Sequence, residues 1–383
     1  MRAAILRLCT SLVPAAFVLI GGSAWAVSEF TDGNVGMADP VQPAPLASHS
    51  NRKLPDDGRV ERGWDAGVFD FSDRVVPWDQ LPVRPATPST PMSLDEMTDG
   101  LRTESVTSDG KVEIFEISPD LKSRILDGIR SIEEERRSGL ESPADPFAHS
   151  IRAPAGDQLG SSANAFFVFG ADRRKRITAT SEYPYRTIGF LGPSGCSGSL
   201  VGPRHVLTAG HCVFNIKQRK WYRNMRFYPG LNGETMPYGS IDVVRQLSVT
   251  GWTQQHQPQF DFGMVVLAQD AGVGWMGYGY DEPMPKYNIN VIGYPGSKPK
   301  FTMWHSYCPL ERSDVHALHY RCAATAGMSG GPVYVHWRQK TTNDQNKIVG
   351  MHAYEYRDGS RPNWGPRIDK GRYERISEWK RQF

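Results

Sequence analysis

Residues 325–332 read TAGMSGGP, and this stretch decides the fold of the chain. Ser329 stands among glycines, a few residues after Cys322, in a region of short apolar segments. Glycines allow a tight turn in which backbone N–H groups converge near the hydroxyl, as a nucleophilic serine requires. Because an isolated Gly-Ser-Gly run is more often an ordinary turn, the interpretation depends on the rest of the chain.

His211 lies in a second informative stretch, LTAGHC (207–212), which follows the apolar run SLV and a Gly-Pro turn. A serine hydroxyl is a weak nucleophile at neutral pH, and a nearby histidine can take its proton and later return it to the leaving group. His211 is therefore the candidate base. His205 is its nearest rival, but it begins the predicted strand instead of following it.

Asp261 is the candidate carboxylate that fixes the imidazole tautomer and stabilises the imidazolium. It opens the run DFGMVVL, which is typical of a buried strand. Asp242 is the alternative, but it falls in the alternating run SIDVV, where we expect it to face solvent. The chain order His211, Asp261, Ser329 is that of chymotrypsin-like enzymes and differs from that of subtilisins and α/β-hydrolases.

The cysteines favour an oxidising compartment. Of the five in the chain, Cys9 lies near the N-terminus and the other four lie in the C-terminal half. Four cysteines allow three connectivities, and we favour Cys196 with Cys212, beneath the candidate histidine, and Cys308 with Cys322, just before the serine. No C-x-x-C pair exists, so we predict no zinc or other metal site.

The N-terminus predicts a signal peptide over residues 1–26. It has a basic start, an apolar stretch to about residue 22, and the small-x-small sequence AWA at 24–26. The alternative is an uncleaved membrane anchor, but Gly, Ser, Thr and Pro interrupt the stretch and it is barely long enough to span. We expect a secreted protein, extracellular or periplasmic, with no membrane segment after cleavage.

Residues 27–166 predict a partly disordered pro-segment. They are rich in Pro, Ser, Asp and Thr to about residue 100, and return to Gly, Ser, Pro and Ala after about residue 138. Between these parts, the alternating residues 111–117 predict one strand, and residues 118–137 predict one helix with apolar residues at helical spacing.

Residues 167–383 predict an all-β domain, a sandwich or barrel, with a short helix near 373–381. The length suits one large β domain or two small barrels that share a cleft. The net charge is only +3, and no basic stripe with interleaved aromatics is present, so we do not predict nucleic-acid binding.

From about residue 166 onward, the chain resembles the chymotrypsin-fold serine endopeptidases, and within them the bacterial glutamyl endopeptidase branch. The matching stretches are the serine stretch together with DRRKRIT (172–178), YPYR (183–186), CSGSLVGP (196–203), TAGHC (208–212), PGLNG (229–233), PYGS (237–240), DFG (261–263), IGYPG (292–296) and VGMH (349–352). The resemblance implies two six-stranded antiparallel β-barrels, with a short C-terminal helix and a largely irregular pro-region in front. We expect a monomer that acts on protein or peptide substrates without a cofactor.

The resemblance also implies that the backbone N–H groups of Gly327 and Ser329 form the oxyanion hole. It implies in addition that the strand beginning at His352 pairs with the extended substrate backbone.

Two positions depart from the trypsin branch. Met328 replaces the aspartate that receives the new N-terminus there, and Ala323 replaces the acid that selects Lys or Arg. The glutamyl branch recognises an acidic P1 side chain, the residue before the cleaved bond, with a histidine, a threonine and the mature α-amino group. His352 matches the histidine. Ala324 stands where the threonine is expected, and Thr325 lies one place later.

Two mature N-termini fit the sequence. One lies near residue 167, where the resemblance begins, and the other follows the basic run RRKR and frees Ile177. The prediction is a secreted serine endopeptidase with a pro-segment. The alternative is a non-catalytic secreted binding protein on a protease-like scaffold, and the His-Asp-Ser order disfavours an esterase.

Overall fold

The computed structural model describes residues 35–37, 93–137, 168–281, 284–338, 344–355 and 361–383. The predicted signal peptide and much of the predicted pro-segment lie outside these residues. Within the described ranges, no helix is both long and apolar enough to cross a membrane. The helices and strands are β1 Val35–Met37, α1 Leu94–Gly100, β2 Thr103–Thr107, β3 Val112–Phe115, α2 Pro119–Arg137, β4 Lys175–Ile177, β5 Ile188–Gly192, β6 Cys196–Leu200, β7 His205–Thr208, β8 Phe214–Asn215, β9 Lys220–Trp221, β10 Arg226–Pro229, β11 Ile241–Val249, α3 Thr250–Thr253, β12 Gly263–Leu267, β13 Gly277–Asp281, β14 Asn288–Gly293, β15 Met303–Ser313, β16 Ala317–Tyr320, β17 Pro332–Arg338, β18 Asp344–Met351, β19 Asn363–Pro366 and α4 Lys370–Gln382.

The first barrel is a closed ring of six antiparallel strands. Its order is β10, β5, β6, β7, β12, β11, and β10 pairs again with β11 to close the ring. Apolar residues such as Phe190, Phe227, Leu247 and Val265 fill it and are fully buried. Each such side chain stabilises the fold by about 1.5–3 kcal/mol when it leaves water.

The second barrel is built from β17, β14, β15, β16 and β19, with β18 on the other side of β17. An isolated bridge between Gly350 of β18 and Arg367, just after β19, links these two strands of the sheet. Strands β13 and β1 continue the sheet beyond β18. A separate apolar cluster, which includes Val291, Leu318 and Val333, fills this half. The predicted all-β chymotrypsin-like fold with a short C-terminal helix is therefore confirmed.

The segment 93–137 is built into the first barrel. Strand β2 pairs with β11, and the β2–β3 hairpin extends the sheet beyond the closed ring. The predicted strand and helix are present as β3 and α2, whereas the prediction missed α1 and β2. Ser93 and Glu96 form a reciprocal capping box that starts α1, a local signal that the sequence does contain.

The helices α2 and α4 pack together and anchor this segment. Ile125 of α2 is fully buried, and a Cβ on Gly128 would come within 2.8 Å of the Lys370 side chain, so the helices approach closely there. From α4, Trp379 Nε1 and Arg375 Nη1 donate to the buried Thr103 hydroxyl at 2.7 and 3.1 Å. The N-terminal strand and the C-terminal helix therefore stabilise each other.

Candidate active site

His211 lies in a short 3-10 turn, Gly210–Cys212, directly after strand β7. A disulfide from Cys212 to Cys196 on β6 fixes this turn, as expected from the sequence; Cys308 is likewise bonded to Cys322. A Cβ at Gly210 would lie 2.8 Å from the Trp252 ring and 3.0 Å from Asp261 Oδ1. The glycine therefore lets the histidine backbone approach the carboxylate.

Asp261 accepts two hydrogen bonds from His211. Its Oδ1 accepts from the backbone N–H of His211 at 2.7 Å, and its Oδ2 lies 2.8 Å from the ring Nδ1. An ionised carboxylate only accepts, so Nδ1 carries the hydrogen and Nε2 is left with a lone pair. Asp261 is fully buried between the turn Pro258–Phe260 and strand β12, which holds the pair rigidly.

The electrostatics of this pair raise the pKa of the imidazole. Burial lowers the pKa of His211, but the charge of Asp261, the hydrogen bond that Asp261 accepts from the ring and the charge of Glu355 together raise the pKa above its ordinary value. Burial, and then the charge and hydrogen bond of Asp261, raise the pKa of the Tyr354 hydroxyl, which therefore stays protonated near the carboxylate. This is the environment that stabilises an imidazolium.

Ser329 lies in the turn before β17, against the loop that carries His211. Gly330 adopts φ 78°, and a Cβ there would lie 2.0 Å from Thr208 Oγ1 and 2.3 Å from the Ser197 carbonyl oxygen. Only glycine fits this contact. The Ser197 N–H donates to the Ser329 carbonyl at 2.8 Å, so strand β6 of the first barrel holds the turn of the second.

The Ser329 hydroxyl is buried and makes no hydrogen bond with any other residue that the structure describes. Buried polar groups are nearly always paired, so this hydroxyl is available to a partner from outside the chain. The Ser199 hydroxyl on β6 is in the same state, so the candidate role of Ser329 depends on its position against the His211 loop. Around it, the N–H groups of Met328, Gly330 and Gly331 donate to backbone carbonyls. Over the described ranges, the N–H groups of Gly327 and Ser329 have no such backbone acceptor.

Thr325 belongs to a buried polar cluster that the sequence did not reveal. Its hydroxyl accepts from Arg174 Nη1 at 2.8 Å and shares a hydrogen bond with the Ser297 hydroxyl at 2.8 Å. Arg174 also donates to both oxygens of Asp172, and its side chain is only 2% exposed. Arg174, which belongs to the basic run that resembles a processing site, is therefore part of the packed structure.

His352 lies at the end of β18 with both ring nitrogens engaged. Nδ1 is 2.8 Å from the Tyr320 hydroxyl, and Nε2 is 3.0 Å from Oε1 of Glu355. The Gly330 N–H donates to the His352 carbonyl at 2.7 Å, which ties this strand to the serine turn. Neither Tyr320 nor Glu355 was a sequence candidate.

The two rival residues lie elsewhere. Asp242 is exposed on β11 and pairs with Arg226 at 2.6 Å, as the alternating pattern predicted. His205 is buried at the start of β7, and burial first, then the Lys380 and Arg204 charges, lower its pKa to about 4. A histidine with that pKa is a poor proton acceptor at neutral pH.

The comparisons with known proteins agree on a peptidase. Residues 196–338 match the family described as "Trypsin-like peptidase domain". The chain is 28% identical to a glutamyl endopeptidase of Bacillus licheniformis, over 84% of this chain and 97% of that protein. It is 32% identical to a Bacillus subtilis protein named "Extracellular metalloprotease", over 56% of this chain and 70% of that protein. A solved structure of a Glu endopeptidase matches with a TM-score of 0.51 and 29% identity, over 56% of this chain and all of that one.

The metal that the second relative's name implies does not fit this site. Among the described residues, the donor atoms that come together are those of Cys196, His211 and Cys212. The two cysteines are joined in a disulfide and offer no thiolate, and Nδ1 of His211 donates to Asp261. A zinc site needs three or four free ligands, which this group does not supply.

Proposed function

Because the chain belongs to the trypsin-like serine peptidases, we propose that it is a secreted serine endopeptidase with a triad of Ser329, His211 and Asp261. The observation that carries the proposal is the buried His211–Asp261 pair on a loop that packs against the turn of Ser329. Among the described residues, the buried hydroxyl of that serine has no hydrogen-bond partner. The signal-like N-terminus supports secretion.

In the first half of the reaction, Ser329 Oγ attacks the scissile carbonyl carbon while Nε2 of His211 takes the hydroxyl proton. The carbonyl oxygen becomes an oxyanion, and Asp261 stabilises the imidazolium that forms. The carbon–nitrogen bond then breaks, His211 gives its proton to the leaving amine, and an acyl-enzyme ester remains. In the second half, water attacks the ester with His211 as base, and Ser329 recovers its proton.

The oxyanion binds to the N–H groups of Gly327 and Ser329. The Gly327 carbonyl accepts a hydrogen bond from the Ser197 hydroxyl at 2.8 Å, which fixes the orientation of the neighbouring peptide. Such fixed donors need no reorganisation when charge develops, and each contributes about 2.7–4 kcal/mol to barrier lowering.

We assign recognition of an acidic P1 side chain to His352. The 28% identity to a glutamyl endopeptidase supports this specificity. The buried imidazole can donate a charge-assisted hydrogen bond to a carboxylate. Tyr354 pairs through its N–H and carbonyl with Trp364, and the Ala353 N–H donates to the same Trp364 carbonyl. The Ala353 carbonyl and the backbone groups of Glu355 can therefore hydrogen-bond to an extended substrate.

The mature chain begins near residue 167 in this proposal. Cleavage after Arg176 would remove Arg174 and its contacts, and would cut through β4, which pairs with β15. The segment 93–137 stays bound to the first barrel after cleavage, because its strand and helix pack on β11 and α4. It then acts as a folding aid.

Labelling with a fluorophosphonate tests the proposed chemistry. The reagent should modify Ser329, identified by peptide mass spectrometry, in the wild-type protein but not in Ser329→Ala or His211→Ala. Modification of another serine, or labelling that persists in Ser329→Ala, would refute the assignment. A Ser199→Ala variant is the matched control, because that buried hydroxyl lies on β6 and should not affect labelling.

A further inference from the structure

Glu355 is the carboxylate closest to the proposed specificity histidine. It lies three residues after His352, and its Oε1 is 3.0 Å from Nε2 of that ring. The His352 side chain is fully buried, and the Glu355 side chain is only 9% exposed. A charged carboxylate so well removed from water requires a strong partner, and His352 supplies it.

The hydrogen-bonding capacity of His352 is thus filled from within the protein. Because a carboxylate only accepts, Nε2 carries the hydrogen that reaches Glu355. Nδ1 is occupied by the Tyr320 hydroxyl, which lies 2.8 Å away. No donor of His352 remains for a substrate while Glu355 keeps this position.

The charge of Glu355 also influences the proposed catalytic histidine. Its charge acts on His211, where it adds to the effect of Asp261, and on Tyr320 behind His352. The carboxylate therefore contacts the His352 ring and acts through its charge on His211.

We propose that Glu355 determines P1 specificity as an internal competitor, because its carboxylate occupies the place on His352 that an acidic P1 carboxylate would take. This inference rests on the proposed recognition of acidic P1 residues by His352. An incoming glutamate has to displace Glu355, since two carboxylates on one imidazole donor repel each other.

The competition has a defined kinetic signature. The apparent affinity for a ligand falls in proportion to the fraction of molecules whose site is open. A peptide with Glu at P1 therefore meets a higher KM than the pocket alone would give. A peptide with Gln at P1 carries no charge and competes far less.

The test compares wild-type enzyme with Glu355→Ala and Glu355→Gln on two peptides that differ only in P1, Glu or Gln. Active sites are titrated with a fluorophosphonate, so a variant that folds poorly is corrected for. We expect Glu355→Ala to raise kcat/KM for the Glu peptide by about tenfold or more, through KM, as removal of a charge-assisted bond implies. Glu355→Gln keeps the side-chain volume and should show a smaller rise. The Gln peptide should change little in both variants.

Four outcomes would overturn the inference. Equal loss on both peptides, restored by Glu355→Asp, would mean that Glu355 only positions His352. A preference for Glu over Gln that is unchanged in Glu355→Ala would leave the proposed function standing and remove the competitor. No preference in either wild type or variant, with fully titrated sites, would show that acidic P1 recognition itself fails. A wild-type preference for further peptides with Lys or Arg at P1, abolished in Glu355→Ala, would mean that Glu355 binds a basic P1 side chain directly.

Discussion

Two buried histidines, one in each barrel, are each hydrogen-bonded to a carboxylate, but their partners are held differently. Asp261 is fully buried and also binds the backbone N–H of His211, so it has two fixed contacts with the same residue. Glu355 lies three residues after His352, and among the described residues the hydrogen bond between them is the one to the ring Nε2. A rigidly held partner suits a catalytic base, whereas a partner with one contact can be exchanged for a substrate.

The largest expected effect on activity comes from changing Asp261 in the His211–Asp261 pair. Asp261→Asn keeps the shape but removes the charge and favours the wrong imidazole tautomer. We expect kcat to fall by about 10⁴-fold, as the corresponding change does in chymotrypsin-like enzymes. Burst and steady-state kinetics on an ester substrate would measure it. A loss of less than about tenfold would mean that His211 does not need this carboxylate. Asp242→Asn is the control on an exposed aspartate.

The guanidinium of Arg174 donates hydrogen bonds to Thr325 and Ser297 in the second barrel. Thr325 lies just before the turn that carries the proposed oxyanion donors. Arg174→Ala should misplace that turn and lower kcat by about 100-fold, since a shift of about 1 Å can cost that much. The neighbouring Arg173 is exposed, and Arg173→Ala should behave as wild type. Equal activity of the two variants would show that the buried cluster does not support the turn.

The smallest expected effect is a shift in pH dependence that links the two pairs. His211 acts as a base only when neutral, so kcat/KM should rise with pH through its raised pKa. Glu355→Gln removes one of the two carboxylate charges that raise this pKa, and the acidic limb should move to lower pH. Measuring kcat/KM for the Gln peptide from acid to neutral pH tests this, and an unmoved limb would mean that Glu355 does not act on His211.

For His211, the contribution to stability falls as pH rises, whereas the activity increases. A raised folded pKa means that His211 contributes stability below the ordinary histidine pKa, and that the contribution is lost as pH rises through the folded value. Thermal unfolding followed over the same pH range separates the two effects.

The triad candidates could be predicted because each stands at a strand boundary with a distinctive local sequence. Glu355 could not, because strand alternation places residues 352 and 355 on opposite faces, and their contact arises where the regular strand has ended. The structural role of Arg174 could not be predicted for a different reason. Its run looks like a processing site, and only the pairing of β4 with β15, more than 120 residues away, brings it inside.

The N-terminal region shows the same limit. The apolar spacing of α2 was visible, but the sequence TESVT of β2 is too polar to predict a strand by itself. Its pairing with β11 is about 140 residues distant in the chain, and the bonds from Arg375 and Trp379 to Thr103 come from the far C-terminus. Local patterns carry no signal of such contacts.

The most direct test of the central claim compares His211→Ala with His352→Ala on the two peptides that differ only at P1. Our account predicts that His211→Ala loses about 10⁴-fold or more in kcat/KM on both. It predicts that His352→Ala loses about ten- to a hundredfold on the Glu peptide and little on the Gln peptide. If His352→Ala leaves the ratio of kcat/KM between the Glu and Gln peptides unchanged, the division of roles between the two histidines is contradicted.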